Sequence, residues 1–238
     1  MIDGKYSLTV KGEGEPLLML HGYLSCKESF YYQIEALSRG RRVVAVDLPG
    51  FGGAAEPQYP FALKDYTDFV EGVILDECGG RADILAHSFG GRIALRLASQ
   101  NGGLVGKMLL TGCAGLKPRR TARYYAKTLT YKALKRLAPT VAQKNISKFA
   151  SSDYLKLSPL MKESFKLIVN EHLDGLLCKI TVPTLLVFGR DDTETPLYMA
   201  KRLNAKIVDS GLVVMDGGHF CFAESPAYFN AVAEEFFF

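Results

Sequence analysis

The 238 residues include no tryptophan and only four histidines. No apolar run approaches the roughly 18 residues that a membrane-spanning helix needs. The opening Met1-Ile2-Asp3-Gly4-Lys5 has no basic start leading into an apolar stretch, so no secretory signal is expected. Cysteine is sparse and odd in number: five, at 26, 78, 113, 178 and 221, with no C-x-x-C spacing. That argues against a disulfide framework and against a zinc site, and it points to a reducing cytoplasm. With 48% hydrophobic and 23% charged residues, the chain is neither disordered nor fibrous.

Acidic residues are scarce in one place. Residues 117–180 carry fourteen Lys+Arg against four Asp+Glu, a local balance of +10, whereas the rest of the chain stands at −6. A mildly acidic body thus holds a basic insert. Outside the insert, short apolar runs alternate with amphipathic stretches. Leu17–Leu20, Val43–Val46, Ile84–Ala86, Met108–Leu110 and Leu185–Phe188 read as buried strands, with Val213–Met215 a weaker sixth. Tyr66, Phe69, Val70, Val73 and Ile74 share one helix face, as do Ile93, Ala94, Leu97 and Ala98. A last helix is expected after Ser225 as cap and Pro226 in its first turn, with Phe229, Val232, Ala233 and Phe236 inward. Strands apolar throughout, alternating with helices, imply a mostly parallel α/β sheet flanked by helices on both faces. In such sheets, sites form beyond the carboxyl ends of the strands.

Those ends carry chemistry: His21-Gly22-Tyr23, then Asp47, then His87-Ser88-Phe89-Gly90-Gly91 running into a helix, then Gly189-Arg190-Asp191-Asp192, then Gly217-Gly218-His219. Serine, carboxylate and histidine occur in the order Ser…Asp…His, each where a strand ends. A serine hydroxyl is a weak nucleophile until a neighbouring base takes its proton. A serine before a helix is ordinarily an N-cap. The strand–turn–helix setting is what makes Ser88 a candidate nucleophile. His219, in a glycine-flanked loop after the last strand, is the candidate base. His21 is expected to shape a loop, His87 to point away into the sheet, and His172 to be structural on a helix of the insert. Asp191 and Asp192 compete for the acid.

With these landmarks the chain resembles the α/β-hydrolase superfamily from about residue 5 onward, and looks most like its small serine esterase branch with a helical cap. Ala86-His87-Ser88-Phe89-Gly90 matches the nucleophile elbow G-x-S-x-G with alanine for the first glycine. The resemblance implies core residues 1–116 and 181–238 with a helical cap (lid) at 117–180. It implies Ser88, Asp192 and His219 as catalytic residues, Asp192 being favoured because the family's acid lies three residues after a glycine and four before a proline, here Gly189 and Pro196. It also implies an oxyanion hole from the backbone N–H groups of Phe89 and Tyr23. No cofactor and no metal are implied. Gly50-Phe51-Gly52-Gly53-Ala54-Ala55 superficially fits a dinucleotide motif, but Glu56-Pro57-Gln58-Tyr59-Pro60 cannot open the helix that motif requires.

The insert reads as helical over 119–138, near 140–150 and over 159–174, the last capped by Ser158-Pro159 and closed by Gly175. Tyr124, Tyr125, Leu129 and Phe165 are the candidate substrate-binding residues, with Phe149, Met161, Ile168 and Val169 also able to line a pocket. Arg119, Arg120, Arg123 or Lys127 could form a positive rim that draws in anionic substrates. A serine nucleophile sets the chain apart from dehalogenases and epoxide hydrolases, which the superfamily builds on aspartate. The expected partner is a small-molecule substrate, a carboxylic ester or thioester cleaved through an acyl-enzyme on Ser88. Carbon–carbon hydrolysis of vinylogous diketones shares the same triad, though the lack of tryptophan weighs against it. A triad-bearing small-molecule receptor is a reading of another class. Nucleic-acid binding is not expected, because the basic insert has no recognisable module. Oligomeric state stays open.

Overall fold

A computed structural model describes residues 6–119, 128–130, 134, 136–137 and 152–238. In chain order the elements are β1 (Leu8–Lys11), β2 (Pro16–Leu20), α1 (Tyr31–Leu37), β3 (Arg42–Val46), α2 (Leu63–Glu77), β4 (Ala82–His87), α3 (Phe89–Gln100) and β5 (Val105–Thr111). After the insert come β6 (Thr184–Gly189), α6 (Leu197–Asn204), β7 (Ser210–Met215), α7 (Cys221–Glu224) and α8 (Pro226–Phe237), and the described part of the insert itself holds α4 (Ser152–Lys156) and α5 (Pro159–Asn170).

The seven strands form one sheet in the order β1-β3-β2-β4-β5-β6-β7. All neighbours are parallel except β1, which pairs antiparallel with β3 along the edge. The strands are apolar throughout because alternate residues feed two separate cores. Leu18, Leu20, Val44, Val46, Ile84 and Ala86 face one core with α2 and α3, while Leu17, Met19, Val43, Ala45 and Leu85 face the other with α1 and α8. β1 shows no such run: half of it is exposed.

The helical faces read from the sequence are those that are buried, with Phe69, Val232 and Phe236 at their margins. Two details differ. Ser225 occupies the N-cap position of α8, but its side chain makes no capping bond, because the chain enters from the short helix α7. Ser158 does cap α5, its Oγ accepting from the Met161 N–H at 3.1 Å, yet α5 ends at Asn170 rather than 174. The Glu171 N–H closes the last turn on the Ile168 carbonyl, and the Leu173 N–H then bonds to the Gly115 carbonyl. His172 therefore lies past the helix and not on it. Residues 128–130, 134 and 136–137 are helical, and the piece expected near 140–150 lies outside the described residues. The stretch from Gly50 to Ala62 forms turns without a helix. No helix among the described residues is long and apolar enough to cross a membrane.

Candidate active site

β4 delivers Ser88 to the carboxyl edge of the sheet through a backbone no ordinary residue favours. Ser88 has φ 50° and ψ −105°, and among the described residues only Leu24 is another non-glycine with positive φ. Such a conformation costs on the order of 1–3 kcal/mol and persists only where the surroundings over-determine it. Here they do. The Ser88 N–H donates to the Thr111 carbonyl at 3.0 Å, and its own carbonyl accepts from Ala114 at 3.1 Å and Arg92 at 3.2 Å. Gly90 is needed for the same turn, since a Cβ there would lie 2.2 Å from the Leu20 carbonyl oxygen.

The loops after β6 and β7 bring two further groups to Ser88. His219 Nε2 lies 3.0 Å from Ser88 Oγ, and His219 Nδ1 lies 2.8 Å from Asp192 Oδ2. The Asp192 side chain is fully buried. Its Oδ1 accepts from the backbone N–H groups of Glu194 at 2.8 Å and Thr195 at 2.9 Å, and its Oδ2 also accepts from the Thr195 hydroxyl at 2.7 Å. Burial works to raise the Asp192 pKa, but the bonds from His219 and Thr195 outweigh it and hold the carboxyl below its usual range. Asp191 is exposed, and its N–H donates to the Gly217 carbonyl. The carboxylate thus stays ionised and fixes His219 with Nδ1–H as donor, leaving the Nε2 lone pair toward Ser88.

The loop after β2 completes the surround. His21 is fully buried; its Nδ1–H donates to the Gly22 carbonyl at 2.7 Å, and its Nε2 accepts from the Leu48 N–H at 3.0 Å. Burial lowers its pKa and keeps it neutral, so it serves the loop's shape. Neither the Tyr23 nor the Phe89 N–H has a backbone partner among the described residues, Phe89 being the first residue of α3, where helix amides are unsatisfied. The Tyr23 phenol donates to the Met161 carbonyl at 3.3 Å, and burial pushes its pKa up. Gly22 has no room for a side chain. A Cβ at Gly22 would sit 2.8 Å from His87 Nδ1.

His87 corrects an expectation. Strand alternation does turn it away from Ala86, but the face it reaches is covered by the His219 loop. Its ring lies 4.7 Å from that of His219 and 4.9 Å from those of Phe220 and Phe222. Its Nε2–H donates to the His219 carbonyl at 3.0 Å, and its buried Nδ1 has no partner among the described residues. Burial, reinforced by His219 nearby, lowers its pKa to about 3.

Among the described residues, Ser88 borders a larger and a smaller cavity. The larger, about 450 Å³, is bordered by Tyr23, Ser88, Tyr154, Phe165, Glu194 and His219. The smaller, about 150 Å³, is bordered by Tyr23, Ser88, Phe89, Arg92, Phe165 and Ile168, with Ala114 and Val169. Phe165 therefore stands between the two. Leu129, by contrast, is 66% exposed and borders neither, since its helix turns it to solvent. Tyr124, Tyr125 and Phe149 lie outside the described residues, as do Arg120, Arg123 and Lys127. Arg119 lays its guanidinium 4.9 Å over the Tyr198 ring and donates its N–H to the Tyr198 hydroxyl. Cys26, Cys113 and Cys221 border neither cavity. Thr195, Arg92 and Glu194 were not singled out from the sequence. Thr195 could have been, because Asp-x-x-Thr is a local side-chain-to-backbone turn pattern.

The alpha/beta hydrolase family model matches residues 17–232, and the chain belongs to that family. It is 31% identical over 241 residues to a pimeloyl-[acyl-carrier protein] methyl ester esterase of Neisseria meningitidis, covering 92% of this chain and 91% of the relative. It is 27% identical over 247 residues to the 2-hydroxy-6-oxo-6-(2'-aminophenyl)hexa-2,4-dienoic acid hydrolase of Metapseudomonas resinovorans, covering 92% of this chain and 82% of that protein. A solved hydrolase from Pseudomonas aeruginosa superposes with a TM-score of 0.76 at 19% identity, over 99% of both chains.

Proposed function

We propose that this chain is a serine hydrolase that cleaves a small carboxylic ester or thioester through an acyl-enzyme on Ser88. The observation that carries the reading is the continuous line of hydrogen bonds from Ser88 Oγ through His219 to buried Asp192 at the wall of a cavity. In this reading Ser88 Oγ attacks the acyl carbon while His219 Nε2 takes its proton. The negative oxygen that forms is held by the free N–H groups of Tyr23 and Phe89. The bond to the leaving group then breaks, and His219 returns the proton to it. Water attacks the acyl-enzyme with His219 again as base, and the acid departs as Ser88 regains its proton. Residues 117–180 act as a lid over a core made of 1–116 and 181–238, with Phe165 of the lid at the substrate. All five cysteines are free thiols, which supports a cytoplasmic setting.

A second reading, hydrolysis of a carbon–carbon bond in a vinylogous diketone, is favoured by the likeness to the 6-oxo-dienoic acid hydrolase. The test is a chain-length panel of acyl esters together with labelling by a fluorophosphonate probe. Turnover and labelling are expected in the native chain, and both should vanish in Ser88→Ala with the fold retained, since alanine bears the same positive φ at no greater cost. Labelling that survives Ser88→Ala would defeat the assignment. Turnover of a vinylogous diketone without ester turnover would favour the second reading.

A further inference from the structure

The geometry points to Arg92 as the specificity-determining residue of the smaller cavity: it makes that cavity a carboxylate site, so the substrate carries an anionic group a few bonds from the scissile carbonyl. The inference rests on the ester-hydrolase reading above. Arg92 is one helical turn beyond Ser88, on the same face of α3. It is 8% exposed and borders the cavity of about 150 Å³.

Its guanidinium is only half used. Nη1 donates to the carbonyls of Ile168 and Glu171, the latter at 2.9 Å, and so ties the end of α5 to the core. Nε and Nη2 make no hydrogen bond among the described residues, and no carboxylate among them lies within ion-pairing distance of Arg92. The carboxylate of Glu171, whose backbone carbonyl Arg92 binds, is taken by Arg96. A cation this deeply buried is costly unless an anion meets it. If Arg92 served only to stopper a helix end, Nη1 alone would suffice. Nε–H and Nη2–H form the side edge of the guanidinium, a fork that matches both oxygens of a carboxylate.

The rest of the cavity wall is mostly apolar, as a short carbon chain requires. Its volume is that of about five water molecules, room for two or three carbons ending in a carboxylate. The larger cavity has the opposite character, for Glu194 stands in its wall. An anion therefore belongs on the Arg92 side of Ser88, and the other half of the substrate on the Glu194 side.

The test compares kcat/KM for monoethyl succinate and ethyl 4-methylpentanoate, which share a heavy-atom skeleton and differ by a carboxylate. Charge-assisted bonding should favour the charged ester by about tenfold or more. The preference should persist at about 1 M salt, because a buried pair is poorly screened. Arg92→Met should bring the ratio to about one, and Arg92→Lys, which keeps a cation for the α5 carbonyls but not the fork, should leave part of it. Equal rates in the native chain would overturn the inference. So would a preference that salt abolishes, which would belong to exposed cations, or one that a folded Arg92→Met retains. If neither ester is hydrolysed, the ester-hydrolase reading is what fails. Calorimetric binding of succinate then decides the site alone: binding that Arg92→Met removes upholds it, and no binding by the native chain overturns it.

Discussion

The two ends of the sheet carry cavities of nearly equal size and opposite use. At the carboxyl ends of the strands lies the cavity of about 450 Å³ beside Ser88. At the amino ends lies one of about 460 Å³, bordered by Glu15, Arg41, Arg81, Asp83 and Lys107. The amino-end cavity is the more heavily charged, yet its main charges satisfy one another. Arg41 donates to Asp83 at 2.6 Å, to the Glu15 carbonyl at 3.0 Å and to the Phe237 carbonyl at 2.8 Å, and Lys107 Nζ donates to the Phe236 carbonyl at 2.7 Å. These cations meet the orphan carbonyls at the end of α8 and pin that helix to the sheet. At the carboxyl end stand a serine on strained backbone hydrogen-bonded to a histidine, and, without a partner among the described residues, two backbone amides and half a guanidinium. In the proposed reading, reactivity follows from groups the fold leaves available, not from the volume or charge of a hollow.

The comparison can be broken by removing one charged group from each end. Asp192→Asn should lower kcat by about 10⁴-fold, because an amide cannot hold the reactive His219 tautomer or stabilise its imidazolium. Asp191→Asn, one residue away and exposed, should stay within a few-fold. Steady-state rates on the best ester of the panel decide it, and the reverse ranking would shift the acid by one position. At the other end, Arg41→Met should cost about 3 kcal/mol of stability by stranding Asp83, whose side chain is 14% exposed. Below its melting temperature the same variant should keep kcat/KM within about twofold. A large loss of activity with stability intact would mean that the amino-end cavity is more than a clamp.

Much of this could be read before any coordinates, and the failures have physical causes. Five strands are legible because burial on both faces makes them continuous apolar runs, while β7, an edge strand in which only Met215 is buried, gives a weaker one. β1 is not legible, because an edge strand with no residue fully buried, and Val10 and Lys11 exposed, offers no apolar run. Ser88, Asp192 and His219 each lie within a few residues of a strand end, so local pattern suffices to bring them forward. Arg92 is different. Helical periodicity marks Ile93, Ala94, Leu97 and Ala98 as core, but the burial of Arg92 depends on residues 168–171 folding across it from a distant part of the chain. The role of His87 depends likewise on the loop after β7, which no rule local to β4 could supply.

That role of His87 gives the smallest and most specific effect. Its ring is 1% exposed and its pKa stands at about 3, against about 6.5 in an unfolded chain. Between those values the unfolded chain binds a proton that the folded chain refuses, so stability rises with pH in this window and is lost as pH falls through it. At pH 5 the loss attributable to this one group should be about 2 kcal/mol relative to neutral pH. His87→Gln keeps an N–H that can reach the His219 carbonyl but has no proton to gain. Urea unfolding at pH 7 and pH 5 should therefore show the variant losing less stability on acidification than the native chain, by about that amount. An identical loss in both proteins would mean that His87 charges at little cost in the folded state.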